Sequence, residues 1–359
     1  MAERLNKKLV LENGLEFPGY GFGARHDRIA QLVFNTSMVG YQEIVSENSY
    51  YEQIVVMTYP IIGSYGVNDE DDETKFPNIG GLVVHDYNDV PSNFRYTRTL
   101  SEAMEDDGIP GIYGVDTRQL TRILRDNGSM KAMITAIETP LEAALNAIHA
   151  WQPSADPISK VSCKKRWYSR TPNHKYSVVA VDCGLKLSSV RNLNKLGCNV
   201  TVVPYNTPAQ EILDLKPDGL FLYDGPGDPN NAQGVVELIR QVQGKMPILG
   251  VQLGHQLLCL ASGAKVTKMR CGHHGSNHPI RNLDTGKIEM ASQNHNFCLD
   301  PDSLEGTGLR VTHVNVLDGT PEAAESSLYP NLSAQFDLTK DHYLYNKFLT
   351  MLEEAKIHA

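Results

Sequence analysis

The sequence predicts a two-domain α/β protein: a mixed α/β domain over residues 1–150, then a domain over 177–359 whose mostly parallel sheet is flanked by helices. Three observations predict it. At 359 residues the chain is too long for one ordinary domain and long enough for two with sizeable cores. Residues 151–176 change character, with Pro153, Pro157 and Pro172 among Lys160, Lys164, Lys165, Arg166, Arg170 and Lys175 and no apolar period, which reads as a linker. From Ser177 onward short apolar runs alternate with segments of helical spacing, the pattern of a sheet built from strand–helix–strand units.

The elements follow in order. Leu9-Val10-Leu11 runs into Glu12-Asn13-Gly14, a hairpin-type turn. Further apolar runs at Gln31–Asn35, Gln53–Thr58 and Gly81–Val84 read as strands. Asp116 stands as N-cap before a helix with apolar residues at 120, 123 and 124. In the second domain, Ser177–Asp182, Asn199–Pro204, Gly219–Tyr223 and Met246–Val251 read as strands. Leu187–Leu196 has helical spacing and stops at Gly197, a second helix spans about His255–Ala261, and a final one about Tyr343–Ala355. Functional residues in such a sheet belong at the C-terminal ends of its strands.

Composition excludes several classes. Apolar residues make up 41% and charged residues 21%, ordinary for a globular protein. A net charge of −9 with no basic run argues against nucleic acid as a partner. Met1-Ala2-Glu3-Arg4 offers no apolar leader, and no apolar run approaches the roughly 18 residues of a membrane helix. Six unpaired-looking cysteines (163, 183, 198, 259, 271 and 298) read as reduced thiols in a cytoplasmic setting.

The specific signals lie at strand ends. Asp224-Gly225-Pro226-Gly227-Asp228-Pro229 follows a strand, and its glycines let backbone N–H groups approach a small molecule that a Cβ would obstruct. Next comes Gly250-Val251-Gln252-Leu253-Gly254-His255-Gln256, which resembles the nucleophile elbow of class I glutamine amidotransferases, where a cysteine sits on a tight strand-to-helix turn and the next backbone N–H faces a developing oxyanion. Gly272–Pro279, Ser292-Gln293-Asn294-His295, Val311–Asn315 and Asp318-Gly319-Thr320 follow in an order that narrows the resemblance to the small subunit of carbamoyl-phosphate synthetase. Phe34–Glu43, Thr58-Tyr59-Pro60, Gly63–Gly66 and Gly108–Arg125 resemble that family's other domain, so the resemblance covers roughly residues 8–350.

The resemblance implies glutamine hydrolysis by a cysteine, a histidine and a glutamate, and this chain departs from it at all three. Gln252 stands at the nucleophile position, and a neutral carboxamide cannot form an acyl intermediate. The family's Gln-x-His-Pro-Glu segment corresponds to Gln335-Phe336-Asp337-Leu338-Thr339, placing Asp337 for the histidine and Thr339 for the glutamate. The stretch beyond is also shorter than the family's. By the same resemblance a glutamine pocket would be formed by Ser49, Gly225, Gly227, Leu253, Gln256, Asn294, Asn296 and Phe297, with Asn296 replacing a glycine. Cys259, His255 and His342 are poor substitutes for the missing groups: Cys259 lies two turns down the predicted helix, about 10 Å by helical rise. Cys271, His273, His274 and His278 have metal-ligand chemistry, but adjacent residues of an extended segment point opposite ways, and neither metal nor cofactor is expected.

These readings imply a small subunit that does not hydrolyse glutamine, partnered by a large synthetase subunit of a pyrimidine or arginine pathway. Two alternatives remain at this level: a regulatory pseudoenzyme that senses glutamine or competes with an active small subunit, and a glutaminase using displaced residues. The Gln252 amide is expected to fill the pocket itself, held by N–H groups of Gly225, Gly227 or Leu253.

Overall fold

The computed structural model describes residues 4–358, so the polar start Met1-Ala2-Glu3 lies outside the described residues. The chain divides into two compact units, residues 1–155 with 270–274, and 156–269 with 275–359.

In the first unit seven strands close into a barrel. Their order is Lys7–Leu11, Glu16–Gly23, Pro110–Tyr113, Gly81–Val83, Gln53–Met57, Arg28–Asn35 and Met130–Ala136, and the last pairs back onto the first. Alternate residues point inward: Leu9 and Leu11, Ala30 and Leu32, Ile54 and Val56, Ala132 and Ile134 form one buried cluster. The helix Thr117–Asn127 closes over it with Leu120 and Leu124, and the Asp116 side chain accepts from the Gln119 N–H at 2.8 Å as the expected N-cap. The Leu9–Leu11 run and its turn do form a hairpin with Glu16–Gly23.

In the second unit ten strands form one sheet, in the order Trp167–Ser169, Cys198–Pro204, Tyr176–Asp182, Gly219–Leu222, Ile248–Val251, Asn331–Ala334, Pro321–Ser326, Leu309–Asn315, Val266–Asn282 and Ile288–Leu299. The five from Cys198–Pro204 through Asn331–Ala334 are mutually parallel. Helices cover both faces of this core. Val178 and Ala180 pack with Val190, Leu193, Phe348 and Leu352 on one side, whereas Val179 and Val181 pack with Ile212, Val235, Ile239 and Leu257 on the other. Parallel strands buried on both faces read as continuous apolar runs, which is why four of the five were visible in the sequence; Asn331–Ala334, with Asn331 and Ser333 among its four residues, was not.

Two features depart from expectation. The stretch expected as a linker, 151–176, carries the short helix Ile158–Val161 and the edge strand Trp167–Ser169, which pairs antiparallel with Cys198–Pro204. Buried Ile158 anchors it to the second unit, so the proline- and lysine-rich composition marks an edge rather than a tether. The half of the sheet beyond Asn331–Ala334 is antiparallel, made of long hairpin strands whose polar faces hide their period.

Candidate functional site

The C-terminal ends of four neighbouring parallel strands deliver one polar cluster. After Asp182 the chain turns and supplies Lys186; after Leu222 come Tyr223, Asp224 and Gly225; after Val251 comes Gln252; after Ala334 come Gln335 and Asp337. This is where a parallel sheet exposes strand-end residues to one another.

Gln252 sits between the strand Ile248–Val251 and the helix Leu253–Ala261, as the elbow pattern requires. Its φ is 55° and ψ −117°, a region that disfavours any side chain. The turn is closed by its N–H donating to Ala334 O at 2.8 Å and by Gly254 N–H donating to Tyr223 O at 3.0 Å. A Cβ at 254 would collide with the carbonyl oxygen of Leu222, so glycine there lets helix and strand approach. Gly225 presses equally closely on the backbone of Cys183 and the side chain of Leu253.

The Gln252 side chain is fully buried, and its amide is engaged at both ends. Its Nε2 donates to Asp337 Oδ1 at 3.2 Å and its Oε1 accepts from Gln335 Nε2 at 3.4 Å. The expected partners, the N–H groups of Gly225, Gly227 and Leu253, are therefore corrected. Gly225 N–H donates instead to the carboxylate of Asp224 at 2.8 Å, and the amide reaches across to the strand that carries Asp337. Asp337 Oδ1 also accepts from the Tyr223 hydroxyl at 2.8 Å, while its Oδ2 pairs with Lys186 Nζ at 3.0 Å. Burial, followed by the adjacent Asp337 charge, holds the Tyr223 phenol well above its ordinary range, so it stays a proton donor.

The other expected pocket residues are distributed as follows. Gln256 lies one turn into the elbow helix, its amide donating to Phe297 O and Gln335 Oε1, both at 2.9 Å. Asn294, Asn296 and Phe297 are half-buried on the strand Ile288–Leu299, where the two asparagines share one face. Gly227, at φ 98°, lies against the Pro157 side chain. Ser49 belongs to the first unit, in the turn Asn48–Tyr50, where its hydroxyl donates to Glu47. Thr339 is exposed, and its carbonyl accepts from His342 N–H at 2.9 Å. Lys186, Tyr223 and Gln335 were not singled out from the sequence. Their position just past strand ends was the available signal.

The candidates for displaced chemistry are placed as follows. Cys259 is fully buried, which pushes its thiol up to about 12. Burial raises the thiols of Cys163 and Cys198 to about 12 as well, and those of Cys183, Cys271 and Cys298 also rise with burial as the main cause. His255 is buried, bonded through Nδ1 to Ser333 Oγ at 2.8 Å, and held down to about 3, so it is neutral. His342 bonds Glu289 through Nε2 at 3.3 Å and stands edge-on to Phe336. The arrangement thus offers buried amides and a carboxylate engaged by three donors. None of these cluster residues is a cysteine.

Comparison with known proteins places this geometry. Residues 179–342 match the family model of class-I glutamine amidotransferases. Residues 9–134 match that of the carbamoyl-phosphate synthase small chain, CPSase domain. Fold and strand-end cluster therefore define an amidotransferase-type unit joined to a second, barrel-forming domain. The chain is 42% identical to the carbamoyl phosphate synthase small chain of Listeria monocytogenes serotype 4b (strain F2365), covering 98% of this chain and 99% of that one. It is 45% identical to the small chain of Fusobacterium nucleatum subsp. nucleatum, covering 92% of each, and 42% identical to that of Staphylococcus haemolyticus (strain JCSC1435), covering 99% and 98%. The protein belongs to the carbamoyl phosphate synthase small chain family.

Proposed function

We propose that this chain is a small subunit that does not hydrolyse glutamine and that docks on a large subunit making carbamoyl phosphate from bicarbonate, ATP and free ammonia. The observation that carries the reading is the bond from the Gln252 amide to Asp337. The groups at the nucleophile and base positions are hydrogen-bonded to each other, and the base position is further held by Lys186 and Tyr223. Hydrolysis needs a thiolate and a base free to carry its proton to the departing ammonia. Neither a carboxamide nor a carboxylate engaged by three donors provides them. A large subunit left without its partner would expose an extensive interface, a reason to keep an inactive one. The free thiols fit a cytoplasmic setting.

Reconstitution tests the reading. With its cognate large subunit, the chain should co-purify and support carbamoyl phosphate synthesis from ammonium salts, with glutamine giving no synthesis above background. Failure to co-purify would remove the docking role; glutamine-driven synthesis would remove the inactivity. The sensor alternative is disfavoured because the Gln252 and Gln256 amides are both already bonded to Gln335, and further to Asp337 and Phe297 O respectively. Submillimolar glutamine binding in calorimetry would revive it.

A further inference from the structure

The helix Thr117–Asn127 turns Leu120 and Leu124 into the barrel core and leaves Arg118, Arg122 and Arg125 exposed on an adjoining stripe at positions i, i+4 and i+7. With Thr121 and Thr58 these arginines line a recess of about 360 Å³. Thr58 directly follows the strand Gln53–Met57, which runs parallel to Arg28–Asn35, and its N–H donates to Asn35 O at 3.0 Å, so the recess sits at the C-terminal ends of two parallel strands. Arg125 pairs with its neighbour Asp126 at 3.1 Å. Among the described residues no carboxylate pairs with Arg118 or Arg122, and no acidic side chain lines the recess.

Like charges at i and i+4 destabilise a helix, so three arginines sharing one recess carry a local penalty. They also oppose the sign of a chain whose net charge is −9. The volume falls within the range of small-molecule pockets, although the recess is open to solvent. A planar guanidinium fork matches an oxyanion bidentately, and the Thr58 hydroxyl adds a neutral donor. Three forks around one recess suit a tetrahedral group with several oxygens better than a planar carboxylate, which one or two forks satisfy. We propose that this recess in the first unit binds the phosphoryl or pyrophosphoryl group of a small ligand.

Calorimetry on the full chain at fixed ionic strength tests this with pyrophosphate and inorganic phosphate, and with succinate as the planar comparator. Saturable one-to-one binding of pyrophosphate is expected. It should weaken at least tenfold in Arg118→Ala/Arg122→Ala and several-fold in Arg122→Lys, which keeps the charge and loses the fork. All three side chains are exposed, so matched thermal melts are expected for these variants, and Arg122→Lys keeps the test open if the double variant misfolds. Absence of saturable binding, unchanged binding in the variants, or succinate binding as tightly as pyrophosphate would overturn the proposal. None of these outcomes bears on glutamine hydrolysis, which concerns the other unit.

Discussion

Position 252 combines a strained backbone with a fully buried side-chain amide. The elbow demands φ near 55°, which costs a non-glycine residue of order 1–3 kcal/mol. The Gln252 amide offsets part of that through its bonds to Asp337 and Gln335. Comparing Gln252→Ala with Gln252→Gly separates the two effects. Both lose the amide, but only glycine relieves the strain, so urea unfolding should show the Gln252→Gly variant to be the more stable by about 1–3 kcal/mol. Equal stability would mean that the turn is unstrained. Gln252→Cys should restore no hydrolysis, because a free thiol titrates near 8.5 and the Asp337 charge beside it would raise it further. Recovered activity in that single variant would reveal a working base elsewhere, with His342 the first to test. Asp337→Ala strips a buried ammonium of its carboxylate, and breaking such a pair costs about 3–5 kcal/mol. Pairing it with Lys186→Met should recover most of the loss. If Asp337→Ala alone is neutral, the Lys186 pair is not structural.

At the scale of elements, the elbow is held by backbone contacts that survive any change of chemistry at its apex. Gly254 packs against Leu222 O, so Gly254→Ala should destabilise the second unit and disturb the turn even though it removes no polar group. The same logic explains what was legible beforehand. The elbow, the Asp116 cap, the Leu9–Leu11 hairpin and four of the five parallel strands were readable because each rests on local demands: a glycine where a Cβ will not fit, an N-cap oxygen, an uninterrupted apolar run. The edge strand Trp167–Ser169 was hidden because an edge tolerates polar residues and prolines nearby. Most of the antiparallel half was hidden because Val266–Asn282, Ile288–Leu299 and Leu309–Asn315 mix buried and exposed positions with no clean period. In the site, Gln252 and Asp337 were identified as replacements, but their mutual bond was not, because Gln335, Tyr223 and Lys186 come together only through the order of strands in the sheet. Sequence motifs name positions; the sheet decides which of them meet.

At the scale of the whole chain, buried neutral histidines link stability to pH. Burial lowers His255 to about 3 and His313 to about 4, the latter partly opposed by Glu289. Between those values and the unfolded value near 6.5, the unfolded chain binds protons that the native chain refuses. Stability should therefore fall as pH drops below about 6.5, and the fall should flatten in a His255→Gln/His313→Gln variant. An unchanged slope in that variant would assign acid sensitivity to other groups. Family membership fixes what the molecule is related to, and the cluster at the strand ends carries the proposal that it does not hydrolyse glutamine. The most direct measurement is ammonia release from glutamine by the purified chain, alone and with its large subunit. The account predicts release at background in both cases. Turnover at an ordinary enzymatic rate, on the order of 10 s⁻¹, would contradict it.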